Sequence, residues 1–203
     1  MDNILTSGIS FKGRDVYIVG SGPNGKDYFE HLPPDGVVIA INKAICAMLR
    51  HCYWLCVTPA LLREGYFHFV MHEFINDGPH IPILAKGPLT DAYPEAPYTF
   101  AQGRPFDIGS MGVEQGKLRT GAGTVGVALQ LAQQLDAERC ILVGVDMHGK
   151  DYFDGTRNEN KGSIGPDGTW SQIAMLQQLI NCLRAIGMDV VSLSKTKLKV
   201  EVI

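Results

Sequence analysis

Leu118–Gly149, LRTGAGTVGVALQLAQQLDAERCILVGVDMHG, is the stretch that decides the fold. It opens on glycines and threonines and continues with Val127, Leu129, Leu131, Ala132 and Leu135 at helical spacing. After a tight connection it closes on Cys140–Val145, a continuous apolar run of strand length. Such a run is expected of a strand buried on both faces of a parallel sheet. A helix that begins near Gly123 and Thr124 presents free backbone N–H groups and the positive end of its dipole, which suits a phosphate. Asp146, His148, Lys150 and Tyr152 follow the strand at its carboxyl end, the edge where open α/β sheets bind ligands.

Upstream, the same alternation repeats. Asp15–Val19 reads as a strand running into Gly20-Ser21-Gly22-Pro23-Asn24-Gly25, then a short helix ended by Pro33-Pro34-Asp35-Gly36. Gly36–Ile41 is a second buried strand, closed by Asn42 and followed by a short helix over 43–50. Tyr53–Val57 is a third, stopped by Thr58-Pro59, and Ala60–Phe74 is helical in pattern. His80–Leu84 is a weaker strand because it carries Pro82. Downstream, Thr169–Ile186 has helical spacing with Gly187 as its cap, Met188–Leu193 is a last strand, and an extended tail follows. This order predicts an α/β fold, doubly wound, with a mostly parallel Rossmann-like sheet and helices on both faces. Residues 1–203 then form one nucleotide-binding domain. A Pro- and Gly-rich insertion over about 86–116 reads as an irregular lid, and a polar stretch over about 149–168 as a mobile loop.

Composition narrows the function. The chain has 203 residues, a net charge of −3, 45% hydrophobic and 19% charged residues. That is enough apolar material for a sizeable core and too little positive charge for a nucleic-acid surface. No apolar run is long enough to span a membrane, and the N-terminus lacks a signal layout. Cys46, Cys52, Cys56, Cys140 and Cys182 are odd in number and form no CxxC, which predicts reduced cysteines and a cytoplasmic protein.

Gly20–Gly25 matches GxGxxG after a strand, so it serves either as a phosphate or ribose contact or as a tight turn without a ligand. The acidic residue that a dinucleotide fold places after the second strand is replaced by Asn42. The second GxGxxG, Gly121–Gly126, follows no strand and reads as an anion-binding helix start or a hinge. Asp146 caps a turn, or holds a sugar hydroxyl or a divalent metal. His148 is a general base or a phosphate partner. His68 and His72, spaced i, i+4, read as a surface pair rather than a metal site, so no metal ligand is assigned.

Taken in order, GRDVYIVGSGPNG (13–25), AINKA (40–44), VTP (57–59) and TGAGTVGVALQLAQQLDAERCILVGVDMHGKDYFDG (120–155) resemble a bacterial sialyltransferase-like group. The group comprises Campylobacter-type α-2,3-sialyltransferases, motility accessory factors, 6-hydroxymethylpterin diphosphokinase-like proteins and small phage homologues. The resemblance covers about residues 13–195. It implies a nucleotide-binding glycosyltransferase that uses a CMP-activated sugar as donor and a glycan as acceptor, with no required cofactor. The loop contacting the cytidine nucleotide falls on Gly20, Ser21, Gly22 and Pro23, with Ser21 in the slot of the family's Asn. Asn42 matches the Asn after the second strand, and Thr58 stands where the family has Asn before Pro. The helix start falls near Gly123 and Thr124. Two tyrosines that hold the leaving phosphate fall near His148 and Tyr152, and Arg119 would face the same phosphate. The family's base is a downstream His. No His follows His148 here, so His148 or Asp146 takes that role or the chemistry differs. The resemblance also admits an ATP- and Mg²⁺-dependent diphosphokinase with Asp146 as ligand, and a non-catalytic nucleotide-binding accessory protein. A flavin enzyme is the outsider. A homo-oligomer is compatible with each.

Overall fold

The computed structural model describes residues 1–75, 78–105, 113–147, 153–155 and 166–203. Strands are numbered in chain order: β1 Asp2–Asn3, β2 Asp15–Val19, β3 Val37–Ile41, β4 Cys52–Cys56, β5 His80–Ala85 and β6 Tyr98–Phe100. They continue as β7 Gln102–Gly103, β8 Leu118–Arg119, β9 Arg139–Val143, β10 Asp189–Ser192 and β11 Glu201–Val202. The α-helices are α1 Gly65–Ile75, α2 Pro88–Ala92, α3 Gly123–Gln134 and α4 Pro166–Ala185.

Among the described residues, nine strands form one sheet in the order β1-β6-β5-β4-β3-β2-β9-β10-β11, and every pairing is parallel. This is the doubly wound α/β architecture expected from the alternation of apolar runs and helices. From β2 the chain adds β3, β4, β5 and β6 on one side, then returns to place β9 on the other. The order therefore reverses between β2 and β9, and their carboxyl ends flank the crevice where such sheets take ligands.

The apolar runs give the central strands their burial. Val16, Ile18 and Val19 of β2, Ile39 and Ala40 of β3, and Cys140, Leu142 and Val143 of β9 are fully enclosed. Burial on this scale, at roughly 25 cal/mol per Å² of apolar surface, is what holds a parallel sheet together. Trp54 of β4, also fully buried, packs on Phe67 of α1 with ring centroids 5.2 Å apart. Four carbonyls, those of Leu32, Pro33, Pro34 and Gly36, accept from the Arg50 guanidinium and fix the turn into β3.

Several local expectations are revised. The short helices expected after β2 and β3 are present, as the 3-10 segments Pro23–His31 and Asn42–Ala47. Residues 60–74 divide into a 3-10 turn, Pro59–Arg63, and α1. β5 is an interior strand despite Pro82. β6 pairs only with Ile83–Ala85, so at Pro82 the strand has a neighbour on one side alone, where proline is tolerated. The stretch 86–116 is not irregular throughout. It contributes α2, β7 and β6, and β6 belongs to the main sheet. Of the polar stretch 149–168, residues 149–152 and 156–165 lie outside the described residues, and Pro166–Gly168 already belong to α4. Among the described residues, no helix is long and apolar enough to cross a membrane.

Candidate functional site

The two loops leaving β2 and β9 are bonded to each other. Gly20 N–H donates to the Val143 carbonyl at 2.8 Å, and Gly22 N–H to the Gly144 carbonyl at 2.9 Å. This contact explains the glycines at 20, 22 and 25. A Cβ on Gly20 would stand 2.6 Å from the Gly144 oxygen, and one on Gly25 2.6 Å from the Gly144 Cα. On Gly22 it would stand 2.5 Å from Asp146 Oδ2. The GxGxxG spacing thus has a structural cause, the closure of one loop on the other. Gly144 supplies the matching bend, with φ of 63°.

Asp146 is 2% exposed, and its Oδ2 accepts the backbone N–H of Asn24 at 2.9 Å. It therefore caps the start of the 3-10 segment Pro23–His31 from across the crevice, a long-range version of the capping role open to Asp in the sequence. Its carbonyl accepts from Lys197 N–H at 3.2 Å.

The far wall is made by the C-terminal tail, which sequence reading missed as part of the site. Ser194 Oγ accepts from Gly144 N–H at 2.9 Å, the Thr196 hydroxyl donates to the Val145 carbonyl at 2.6 Å, and Asn24 Nδ2 donates to the Lys195 carbonyl at 3.3 Å. The only signal in the chain is the alternation of small hydroxyl residues with lysines over 194–197.

Asn42 sits at the carboxyl end of β3, next to β2. Its φ is 50°, a left-handed conformation uncommon for a residue with a side chain, and its carbonyl accepts from Trp54 Nε1 at 3.0 Å. Its Oδ1 is buried and has no hydrogen-bond partner among the described residues. An unmet buried acceptor at the carboxyl edge of a parallel sheet is an atom that a ligand's donor can satisfy.

Lys43, the next residue, pairs with Asp154 at 2.7 Å. Phe153 N–H donates to the Ser21 carbonyl at 3.0 Å, and its ring meets Phe29 edge-on at 5.5 Å. Residues 153–155 are thereby fixed to both the Gly20–Gly25 loop and the end of β3.

At α3, Ala122 is the N-cap and offers no side-chain hydrogen bond to the first N–H groups of the helix. Gly123 opens the helix with φ of 70°, and Thr124 is half-buried. Arg119 lies just ahead of this helix start, and its guanidinium donates to the carbonyls of Arg104 at 3.0 Å and Pro105 at 3.2 Å. Thr58 is exposed and its hydroxyl accepts from Ala60 N–H at 3.3 Å, capping the Pro59–Arg63 turn. His148 and Tyr152 lie outside the described residues. The structure thus brings Gly20, Ser21, Gly22, Pro23 and Asp146 together, with Asn42 on the adjoining strand end.

Other clusters have structural partners. His68 Nδ1 lies 2.5 Å from the Tyr93 hydroxyl, and its Nε2 lies 2.7 Å from the Leu62 carbonyl. Among the described residues, no group of three or more His, Cys, Asp or Glu is placed to hold a metal. Cys52 Sγ and His80 Nδ1 are 3.1 Å apart, at the opposite, amino-terminal edge of the sheet. Burial pushes the Cys52 thiol up to about 12. Burial, and then the nearby His51, lowers His80 to about 4. Both are neutral at pH 7, so this pair is not an activated thiolate. The same edge carries an open trough of about 970 Å³ that includes Arg14, Asp15, Asp35, Arg139 and Asp189. Its arginines are engaged within the fold: Arg139 forms a bidentate pair with Asp15 at 3.1 and 2.5 Å, and Arg14 donates to the Asp35 backbone carbonyl at 2.6 Å. Neither feature lies at the ligand edge, and the trough's volume does not outweigh the position of the β2–β9 crevice.

No protein-family model matches the chain, and no curated protein matches its sequence. Among solved structures, it is similar to the sialyltransferase CstII from Campylobacter jejuni in complex with the substrate analogue CMP-3FNeuAc. The TM-score is 0.54 at 16% identity, over 89% of this chain and 81% of that one. It is also similar to the sialyltransferase CST-II in complex with a trisaccharide acceptor and CMP, with a TM-score of 0.50 at 15% identity over the same shares. The chain therefore has a sialyltransferase-like fold.

Proposed function

We propose that this protein is a nucleotide-binding, glycosyltransferase-like enzyme that takes a CMP-activated sugar and passes the sugar to a glycan acceptor. The observation that carries the reading is Asn42, with its positive φ and its buried, unmet Oδ1 at the carboxyl end of β3. A polar atom left in that state is satisfied by a ligand with donors, such as a ribose or a cytosine amine. Two further features support it. The N-cap residue of α3, Ala122, has no side chain that competes with a phosphate for the first N–H groups. The structures in complex with CMP-3FNeuAc and with CMP share the fold.

In this reading Ser21, Asn42 and Thr124 hold the nucleotide, with Gly20, Gly22, Pro23, Thr58 and Gly123 shaping the pocket. Arg119 and Tyr152 stabilise the leaving phosphate, and His148 takes the proton of the acceptor hydroxyl. Asp146 holds the crevice loop in place through Asn24. The leaving group is a single phosphate ester of CMP, which hydroxyl and guanidinium donors can stabilise, so the mechanism requires no metal.

Thermal shift of the purified protein with CMP, CDP, ATP and NAD, with and without Mg²⁺, tests this. The reading expects a metal-independent rise in melting temperature with CMP or CDP. A rise with ATP only in the presence of Mg²⁺ would replace it with phosphoryl transfer.

A further inference from the structure

Gln130 is a fully buried polar side chain in the middle of α3, and each of the bonds that it makes goes to backbone. Its Oε1 accepts Arg119 N–H at 2.9 Å, while its Nε2 donates to the Arg119 carbonyl at 2.9 Å and to the Gly126 carbonyl at 2.9 Å. A carboxamide that takes both main-chain groups of one residue acts as a neighbouring strand would. One turn on, Gln134 accepts from Gly116 N–H at 2.8 Å and donates to the carbonyls of Lys117 at 2.8 Å and Glu114 at 3.1 Å. The two glutamines lay residues 114–119 along α3, but only Gln130 does so in a dry interior, where a lost hydrogen bond costs most.

Arg119 faces a second partner. Its strand, β8, pairs with β7, and its guanidinium holds the carbonyls of Arg104 and Pro105. Four residues after Arg119 the chain begins α3 at Gly123. Arg119 is thus gripped by Gln130 through its backbone and grips the carbonyls that follow β7 through its side chain.

We propose that Gln130 is a positioning residue that makes the N-terminus of α3 and the segment 102–105 one mechanical unit, with Arg119 as the joint. A ligand held at Gly123 and Thr124 is then coupled to the placement of residues 102–105. The identity of that ligand rests on the nucleotide reading; the mechanical link does not.

The test compares Gln130→Met, which keeps the length and removes the amide, with Gln134→Ala, Arg119→Ala and the Gln130→Met/Arg119→Ala double variant. In hydrogen exchange without ligand, Gln130→Met is expected to speed exchange both over 118–123 and over 101–105, whereas Gln134→Ala leaves 118–123 unchanged. Faster exchange confined to 118–123 would overturn the coupling. In CMP titrations, Gln130→Met is expected to weaken binding by about 10-fold, with the double variant no worse than the weaker single one. Additive losses would show that Gln130 does not act through Arg119. A wild-type protein that binds no CMP sinks the nucleotide reading, and the exchange data still decide the mechanical link. If Gln130→Met does not fold, Gln130→Glu, which keeps the acceptor and loses the donors, carries the same measurements.

Discussion

The carboxylate of Asp146 accepts the backbone N–H of Asn24 at 2.9 Å, joining two crevice loops that are 122 residues apart in the chain. The bond is partly buried, and the Asp146 side chain that accepts it is 2% exposed. Asp146→Ala is expected to destabilise the fold by about 2 kcal/mol, and Asp146→Asn, which keeps an acceptor, by less. Urea unfolding of the two variants measures the difference; equal stability of Asp146→Ala and wild type would deny the bond its role.

The glycine spacing makes a separate claim. Gly25→Ala places a methyl 2.6 Å from the Gly144 backbone, which cannot move aside cheaply. A loss of about 1–3 kcal/mol is expected, as for other overpacked sites. Gly65→Ala, with nothing within 4 Å, is the control and should be neutral or slightly stabilising. Thermal melts of the pair settle whether the motif is needed for the protein to fold, independently of any ligand.

His80 gives the protein a pH dependence. Its folded pKa of about 4 lies below the ordinary value of 6.5. Between those values the unfolded chain binds the proton more readily. Stability is therefore full above about pH 6.5, falls as the pH drops towards 4, and does not change further below that on account of His80. The whole loss is at most about 3 kcal/mol. His80→Gln should flatten the difference in urea stability between about pH 7 and pH 4.5; an unchanged slope would place the dependence elsewhere.

The Lys43–Asp154 pair is partly exposed and contributes little to global stability, on the order of 1 kcal/mol or less. Its effect is local. Asp154→Asn should leave the melting temperature nearly unchanged and speed hydrogen exchange at the Phe153 amide, which bonds to Ser21. A large drop in melting temperature with no local change would contradict this.

The fold was legible because it is written in contiguous apolar runs. β2, β3, β4 and β9 each bury a continuous stretch, and α3 carries a helical period between two of them. What escaped was decided by contacts across the chain. The alternation of hydroxyl residues and lysines over 194–197 does not name Gly144 N–H, 50 residues away, as the partner of Ser194. Tyr98–Phe100 is three residues long, too short for a period, and becomes a strand only because β5 offers an edge. Nothing in the helical period sets Gln130 apart, because its partner, Arg119, precedes that helix in a separate element. The candidate site was partly legible. Asn42 stood out by its place at a strand end, while its strain and its unmet oxygen needed the backbone around it.

The most direct measurement is calorimetric titration of CMP, in the presence of a chelator, into wild-type protein and Asn42→Gly. Glycine relieves the positive φ, so the variant should be as stable as wild type or more so, by up to about 1 kcal/mol. The account predicts metal-independent CMP binding by wild type and its loss, by about 10-fold or more, in the equally stable variant. No binding of CMP by wild type at millimolar concentration, or undiminished binding by Asn42→Gly, would contradict it.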